Sequence, residues 1–238
     1  MKALLSFLTI IPVREKFNLK DVACGIHIFP LIGVLTGALT GLVAYCTSKI
    51  FPEPLTGIIT VSFLEVITGI HHLDALLDFG DGVLAKTSPE EKIRVMHDKC
   101  VGAGGFWLGI TIIGIKVLSI MYLHEVQLFT LIIVSEVSAK LSMVISMWVG
   151  KPAYQSSTAT PFIEEAHRKR WKPILALVIS LAIALLCSIK CIFMICVGIV
   201  VALFITWIAY RNFRGVTGDV LGAIDEVASA TTLLVAVI

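Results

Sequence analysis

The segment HHLDALLDFGDG, residues 71–82, places Asp74, Asp78 and Asp81 four and then three residues apart. On a helix that spacing sets the three carboxylates on one stripe, which His71 borders. Like charges held together in apolar surroundings need either protons or a cation between them. Oxygen ligands without thiolates select a hard ion, so the stripe points to Mg²⁺, with Mn²⁺ as the other candidate. A solvated loop with acids decorating a helix end is the plainer alternative.

A second acidic pair lies far along the chain. In RGVTGDVLGAIDE, Asp219 and Glu226 are seven residues apart and share a helix face, whereas Asp225 lies on another. Asp219 alone would also serve as a helix N-cap. Glu226 sits two turns deeper in an apolar run, where an unpaired carboxylate is costly and usually functional. Glu65 and Glu136 lie in similar surroundings and are expected to pair with Lys116 or Lys140. Two acidic clusters on one face suit a pair of divalent ions clamping a phosphate.

Groups for the anion follow. Ser88, Pro89 and Glu91 spell an N-cap, a first-turn proline and a capping box, predicting a short surface helix over 89–98 with Lys92, Arg94 and His97. Gly102, Gly104 and Gly105 then open an apolar run, where backbone N–H groups would approach a phosphate or, alternatively, helices would pack closely. The basic run HRKRWK, 167–172, reads as a topology determinant or as a pyrophosphate-facing patch. No nucleophile–base constellation is legible. Direct displacement is therefore expected, with a substrate hydroxyl attacking phosphorus and an acid accepting its proton.

The elements that must position these groups are hydrophobic. The chain has 238 residues, 57% of them hydrophobic and 15% charged. A soluble domain carries about 25% charged residues. Apolar runs recur at about 26–48, 54–73, 101–123, 127–149, 173–189, 191–210 and 220–238, each read as a membrane span. The expected fold is all-α: a polytopic integral membrane protein, about seven helices in one bundle, forming a single catalytic domain over 1–238. Lys2, Arg14, Lys16 and Lys20 precede the first span, and Lys86, Lys92, Arg94 and Lys99 follow the second. Lys151, Arg168, Lys169, Arg170 and Lys172 follow the fourth, and Arg211 and Arg214 the sixth. All lie on one side, leaving Lys49 and Lys190 opposite. Basic short loops mark the cytoplasm, so the acidic stripe is expected there, in a multi-pass protein of the cell membrane.

The N-terminal stretch, with Pro12 and Arg14 after a short apolar run, reads as a partly inserted or interfacial segment rather than a removed signal. Gly33, Gly37 and Gly41 form a small-residue face for packing within the chain or for a homo-oligomer seam. The six cysteines read as small buried hydrophobes, without a disulfide framework or zinc site. Nothing points to nucleic acid.

These residues resemble the cobalamin synthase family, the adenosylcobinamide-GDP ribazoletransferases. SFLTIIPV (6–13), GIHIFPLIG (25–33), TGIHHLDALLDFGDG (68–82), VMHDKCVGAGG (95–105) and VTGDVLGA (216–223) match its motifs in order. The resemblance places the acidic signature on His72, Asp74, Asp78, Asp81 and Gly82, a later aspartate on Asp98, and C-terminal acids on Asp219 and Glu226. His72, Asp74, Asp78 and Asp81 are then the catalytic candidates. Asp74, Asp78, Asp81, Asp219 and Glu226 are the metal candidates, and Gly82, Arg94, Asp98, Lys99 and Gly102 the phosphate and substrate candidates. The resemblance implies a Mg²⁺-dependent membrane enzyme joining adenosylcobinamide-GDP to α-ribazole or its 5′-phosphate, with release of GMP. Ile10 and Cys100 stand where the family has arginines, and Lys99 keeps one charge nearby. A CDP-alcohol phosphotransferase would share Asp78, Asp81, Gly82 and Ala85, but the second half of its signature is missing. A cation-coupled transporter is the alternative outside enzymes.

Overall fold

The computed structural model describes residues 2–12, 17–153 and 158–238; Arg14 and Lys16 lie outside them. The first elements are α1 (Lys2–Leu8), α2 (Leu19–Ala23), α3 (Phe29–Ser48), α4 (Glu53–Ile67), α5 (His71–Leu84) and α6 (Pro89–Met96). They are followed by α7 (Ala103–Tyr122), α8 (Glu125–Val149), α9 (Thr160–Arg168), α10 (Trp171–Cys187), α11 (Ile189–Phe213) and α12 (Gly218–Val237). Strand pairing among the described residues is confined to one isolated bridge, Pro152 with Val216. Five segments are long and apolar enough to cross a membrane: Ile26–Ser48, α7, α8, α11 and α12. The bent pairs α4–α5 and α9–α10 bring the number to seven if each pair is one span. The protein is thus all-α and polytopic, as its apolar runs imply.

The second expected span is broken. Gly69 and Ile70 both have positive φ, 72° and 61°. The Ile70 N–H donates to the Glu65 carbonyl (2.7 Å) and the Gly69 N–H to that of Val66 (2.9 Å). This pair of bonds is a Schellman termination of α4. It satisfies the last carbonyls, and the chain leaves at 94° as α5. Glycine takes that backbone freely, but a β-branched isoleucine does so only under constraint. The acidic residues therefore lie on a separate helix rather than on the end of a straight span. Likewise α9 meets α10 at 91°.

The centre of the bundle is α8, most of whose residues are buried. Its serines let neighbours approach: the Ser142 hydroxyl donates to the Gly198 carbonyl of α11 (2.9 Å). The glycine face of α3 packs here as well. A Cβ on Gly33 would stand 2.6 Å from the Glu136 carbonyl oxygen, and one on Gly37 2.6 Å from the Ile133 Cα. That face is used within the chain. Outward faces carry residues such as Phe106, Trp107, Phe193 and Trp207, all exposed and suited to lipid. The cysteines depart from expectation: only Cys191 is buried, and all six are free.

Candidate active site

α5, stabilised at its origin by the α4 turn, runs past the N-terminal ends of α7 and α12. This crossing brings Asp219 of α12 to the acidic stripe. Asp78 is half-buried, and the charges acting on it are those of Asp219, Asp74 and Asp81, in that order. Asp219 in turn feels Asp74. Thr217, not Asp219, caps α12, its hydroxyl accepting from the Val220 N–H (3.2 Å). The Asp219 carboxylate is thereby left to accept from the Thr217 hydroxyl (3.3 Å) and to face His97, whose Nε2 is 3.9 Å away. Among the described residues, Asp74, Asp78 and Asp219 form no ion pair with lysine or arginine.

Asp81 has a different task. Its two oxygens accept from the N–H groups of Gly102 (2.7 Å) and Gly105 (2.8 Å), capping α7. A carboxylate at a helix N-terminus satisfies otherwise unpaired donors and complements the dipole. Gly102 and Gly105 thus give their N–H groups to a side chain, which corrects the expectation of a phosphate at Gly102. The absence of side chains there is steric: a Cβ on Gly102 would lie 2.5 Å from Asp81 Oδ1. Gly82 serves packing too, since its Cβ would lie 2.5 Å from Met96. α5 runs through Gly80 and Gly82 to Leu84.

Glu226 does not join the aspartates. It lies two turns, about 10 Å, deeper along α12 than Asp219, and the Lys116 ammonium donates to it at 2.6 Å. Lys116 also donates to Glu65 (3.0 Å), as Lys140 does to Asp225 (2.6 Å), with Glu136 3.8 Å away. Ser229 and Thr36 hydroxyls donate to Glu136 (2.9 and 3.4 Å). This buried network joins α3, α4, α7, α8 and α12. Glu226 is therefore corrected from metal candidate to ion-pair partner, because a buried ammonium already neutralises it. The expected pairing of Glu65 and Glu136 with Lys116 and Lys140 is realised. His72 is buried at its edge, its Nε2 without a hydrogen bond and 3.7 Å from Asp225.

The phosphate candidates are peripheral. Arg94 pairs with Glu91 (2.6 Å), so Glu91 does not complete the capping box with Ser88, although the Ser88 hydroxyl does cap α6. Asp98 accepts from the Cys100 N–H (3.2 Å) in an exposed turn that also holds Lys99. Lys92 donates to Asn212 (2.8 Å) and the Val83 carbonyl (3.0 Å), joining α6 to α11 and α5. The basic run is largely spent on Glu165, which Arg168, Lys169 and Lys172 all meet.

Beside Asp219 opens a cavity of about 410 Å³. Its walls include His71, His72, His97, Thr217 and Asp219, together with Phe7, Met143, Met147 and Phe162. The Phe7 and Phe162 walls come from α1 and α9, whose sequences give no chemical signal; only the position of Phe7 in an expected interfacial segment hinted at it. A carboxylate pole lies beside a partly aromatic cavity in a bundle whose apolar helices make it a multi-pass membrane protein.

The profile described as cobalamin-5-phosphate synthase matches residues 1–237. An adenosylcobinamide-GDP ribazoletransferase of Methanocella arvoryzae is 30% identical, over 98% of this chain and 93% of the relative. Proteins of the same name from Thermococcus onnurineus and Clostridium tetani are each 30% identical, covering 99% and 98% of this chain and 96% and 93% of theirs. No solved structure matches. The chain belongs to the cobalamin-5-phosphate synthase family and is a transferase of cobalamin synthesis.

Proposed function

We propose that this chain joins adenosylcobinamide-GDP to α-ribazole, or to its 5′-phosphate, and releases GMP at the cytoplasmic face of the cell membrane. One observation carries this reading: Asp78 and Asp219, 141 positions apart in sequence, come within electrostatic reach of each other and of Asp74, a carboxylate pole that no lysine or arginine neutralises among the described residues. A diphosphate cannot approach such a pole without a cation.

The donor set fits Mg²⁺, with Mn²⁺ as the substitute. Among the described residues, no three His, Cys, Asp or Glu side chains gather closely enough to hold a metal alone. Magnesium is characteristically bound through one or two carboxylates, with substrate phosphates and water completing the octahedron. One or two of Asp74, Asp78 and Asp219 would hold it together with substrate phosphate and water, and when bound it would supply charge neutralisation at the diphosphate.

The chain's own residues do the rest. The ribazole 3′-hydroxyl oxygen forms a bond to the corrinoid-linked phosphorus, and the bond from that phosphorus to the oxygen of GMP breaks. GMP leaves with its electron pair. Asp219, on the cavity wall, accepts the hydroxyl proton, and His97 beside it steadies the charge. His72, within the wall, shapes the site from Asp225. Incubating purified protein with adenosylcobinamide-GDP, α-ribazole and Mg²⁺ should release one GMP for each cobalamin formed. Absence of GMP, or its release without consumption of ribazole, would refute this function.

A further inference from the structure

Resting on that function, we infer that the cavity beside Asp219 is the subsite of the acceptor nucleoside, and that the corrinoid partner stays outside it. Its volume, about 410 Å³, is within the usual range for drug-sized ligands, about 300–1,000 Å³. An aromatic nucleoside fits that space. A corrin macrocycle with its amide arms and attached nucleotide does not.

The lining combines the two kinds of surface such a ligand requires. Part of it is aromatic: Phe7 and Phe162 stand with ring centroids 5.4 Å apart and planes tilted by 30°. Met143 and Met147, one turn apart on the buried face of α8, line the cavity with them. Flat heteroaromatic rings gain from offset contact with phenyl faces, and thioethers pack favourably against ring edges. The lining also carries His71, His72, His97, Thr217 and Asp219. A carboxylate accepting from ribose hydroxyls is a recurrent device in nucleotide sites. Base against the aromatic and thioether side chains and ribose against the polar ones would place a sugar hydroxyl beside Asp219. That is the carboxylate acting most strongly on Asp78. The acceptor oxygen is thus delivered from within the bundle, while the diphosphate meets the aspartates from outside.

Ser6 is exposed yet lines the cavity, so Ser6→Phe narrows it with little demand on the core; Met147→Trp fills it from α8. Steady-state KM values for adenosylcobinamide-GDP, α-ribazole and α-ribazole 5′-phosphate would be measured separately for the full chain and both variants. The KM for both ribazole forms should rise about tenfold or more, with that for adenosylcobinamide-GDP within twofold. An equal rise for the two forms assigns the cavity to the nucleoside they share. A rise confined to the phosphorylated form, a rise for adenosylcobinamide-GDP alone, or no change in Ser6→Phe would overturn the assignment. Binding of free α-ribazole to the unmodified protein by equilibrium dialysis, without corrinoid, should also be detectable, and its absence would count against the subsite. If the unmodified protein turns over no substrate, the proposed function fails; if it turns over and only the KM pattern is wrong, the subsite alone fails.

Discussion

Asp78 and Asp81, three residues apart on one helix, have separate physical roles and should fail differently when altered. Asp81 holds two backbone N–H groups of α7. In Asp81→Asn, one oxygen becomes an amide nitrogen facing a donor. The expected loss is about 1–3 kcal/mol of stability, read as a lower thermal midpoint in detergent. Among the described residues Asp78 has no such bond, so Asp78→Asn should keep the midpoint within a degree or two while losing GMP release by about a hundredfold or more. The stripe itself was legible because Asp74, Asp78 and Asp81 are local in sequence. The task of Asp81 was not, because its partners lie 21 and 24 residues away. Glu226 misled for the same reason. An acid deep in an apolar run announces that something neutralises it, but Lys116, 110 residues distant, becomes its partner only when α7 packs on α12.

At the scale of helices, the turn at Gly69 and Ile70 decides where the acids point. Apolar residues continue from α4 towards α5, so hydropathy alone joins them; the glycine was the available signal. Helix packing depends equally on Gly37 of α3, which touches the α8 backbone. Gly37→Leu should cost about 1–3 kcal/mol through overpacking, seen as a lowered thermal midpoint with the KM values unchanged in the folded fraction. The buried ion pairs bind α4, α7, α8 and α12 together, and the Thr36 hydroxyl adds α3. Lys116→Met leaves Glu65 and Glu226 without their cation and should destabilise by about 3–5 kcal/mol. Adding Glu226→Gln should recover part of that loss, and strictly additive losses in the double variant would dissociate the pair.

For the whole molecule, the charge asymmetry that was plain in the sequence predicts an orientation that helices alone do not. The loops after α5, α8 and α11 carry the basic residues, and Cys100 lies exposed beside Lys99. An impermeant maleimide should label Cys100 in inverted membrane vesicles and not in intact cells. Cys187, exposed at the other end of α10, should show the reverse. The all-α, multi-span character was legible because apolar length is a local property. The cavity was not, since Phe7, Met143, Phe162 and Asp219 become neighbours only after four separate helices assemble.

The central claim is that α5 and α12 build one carboxylate pole that receives the cation and the diphosphate. Its most direct test is the Mg²⁺ dependence of GMP release by folded Asp78→Asn and Asp219→Asn proteins at saturating substrates. Both should need about tenfold or more Mg²⁺ for half-maximal rate. An unaltered Mg²⁺ requirement and full turnover in Asp219→Asn would contradict the claim.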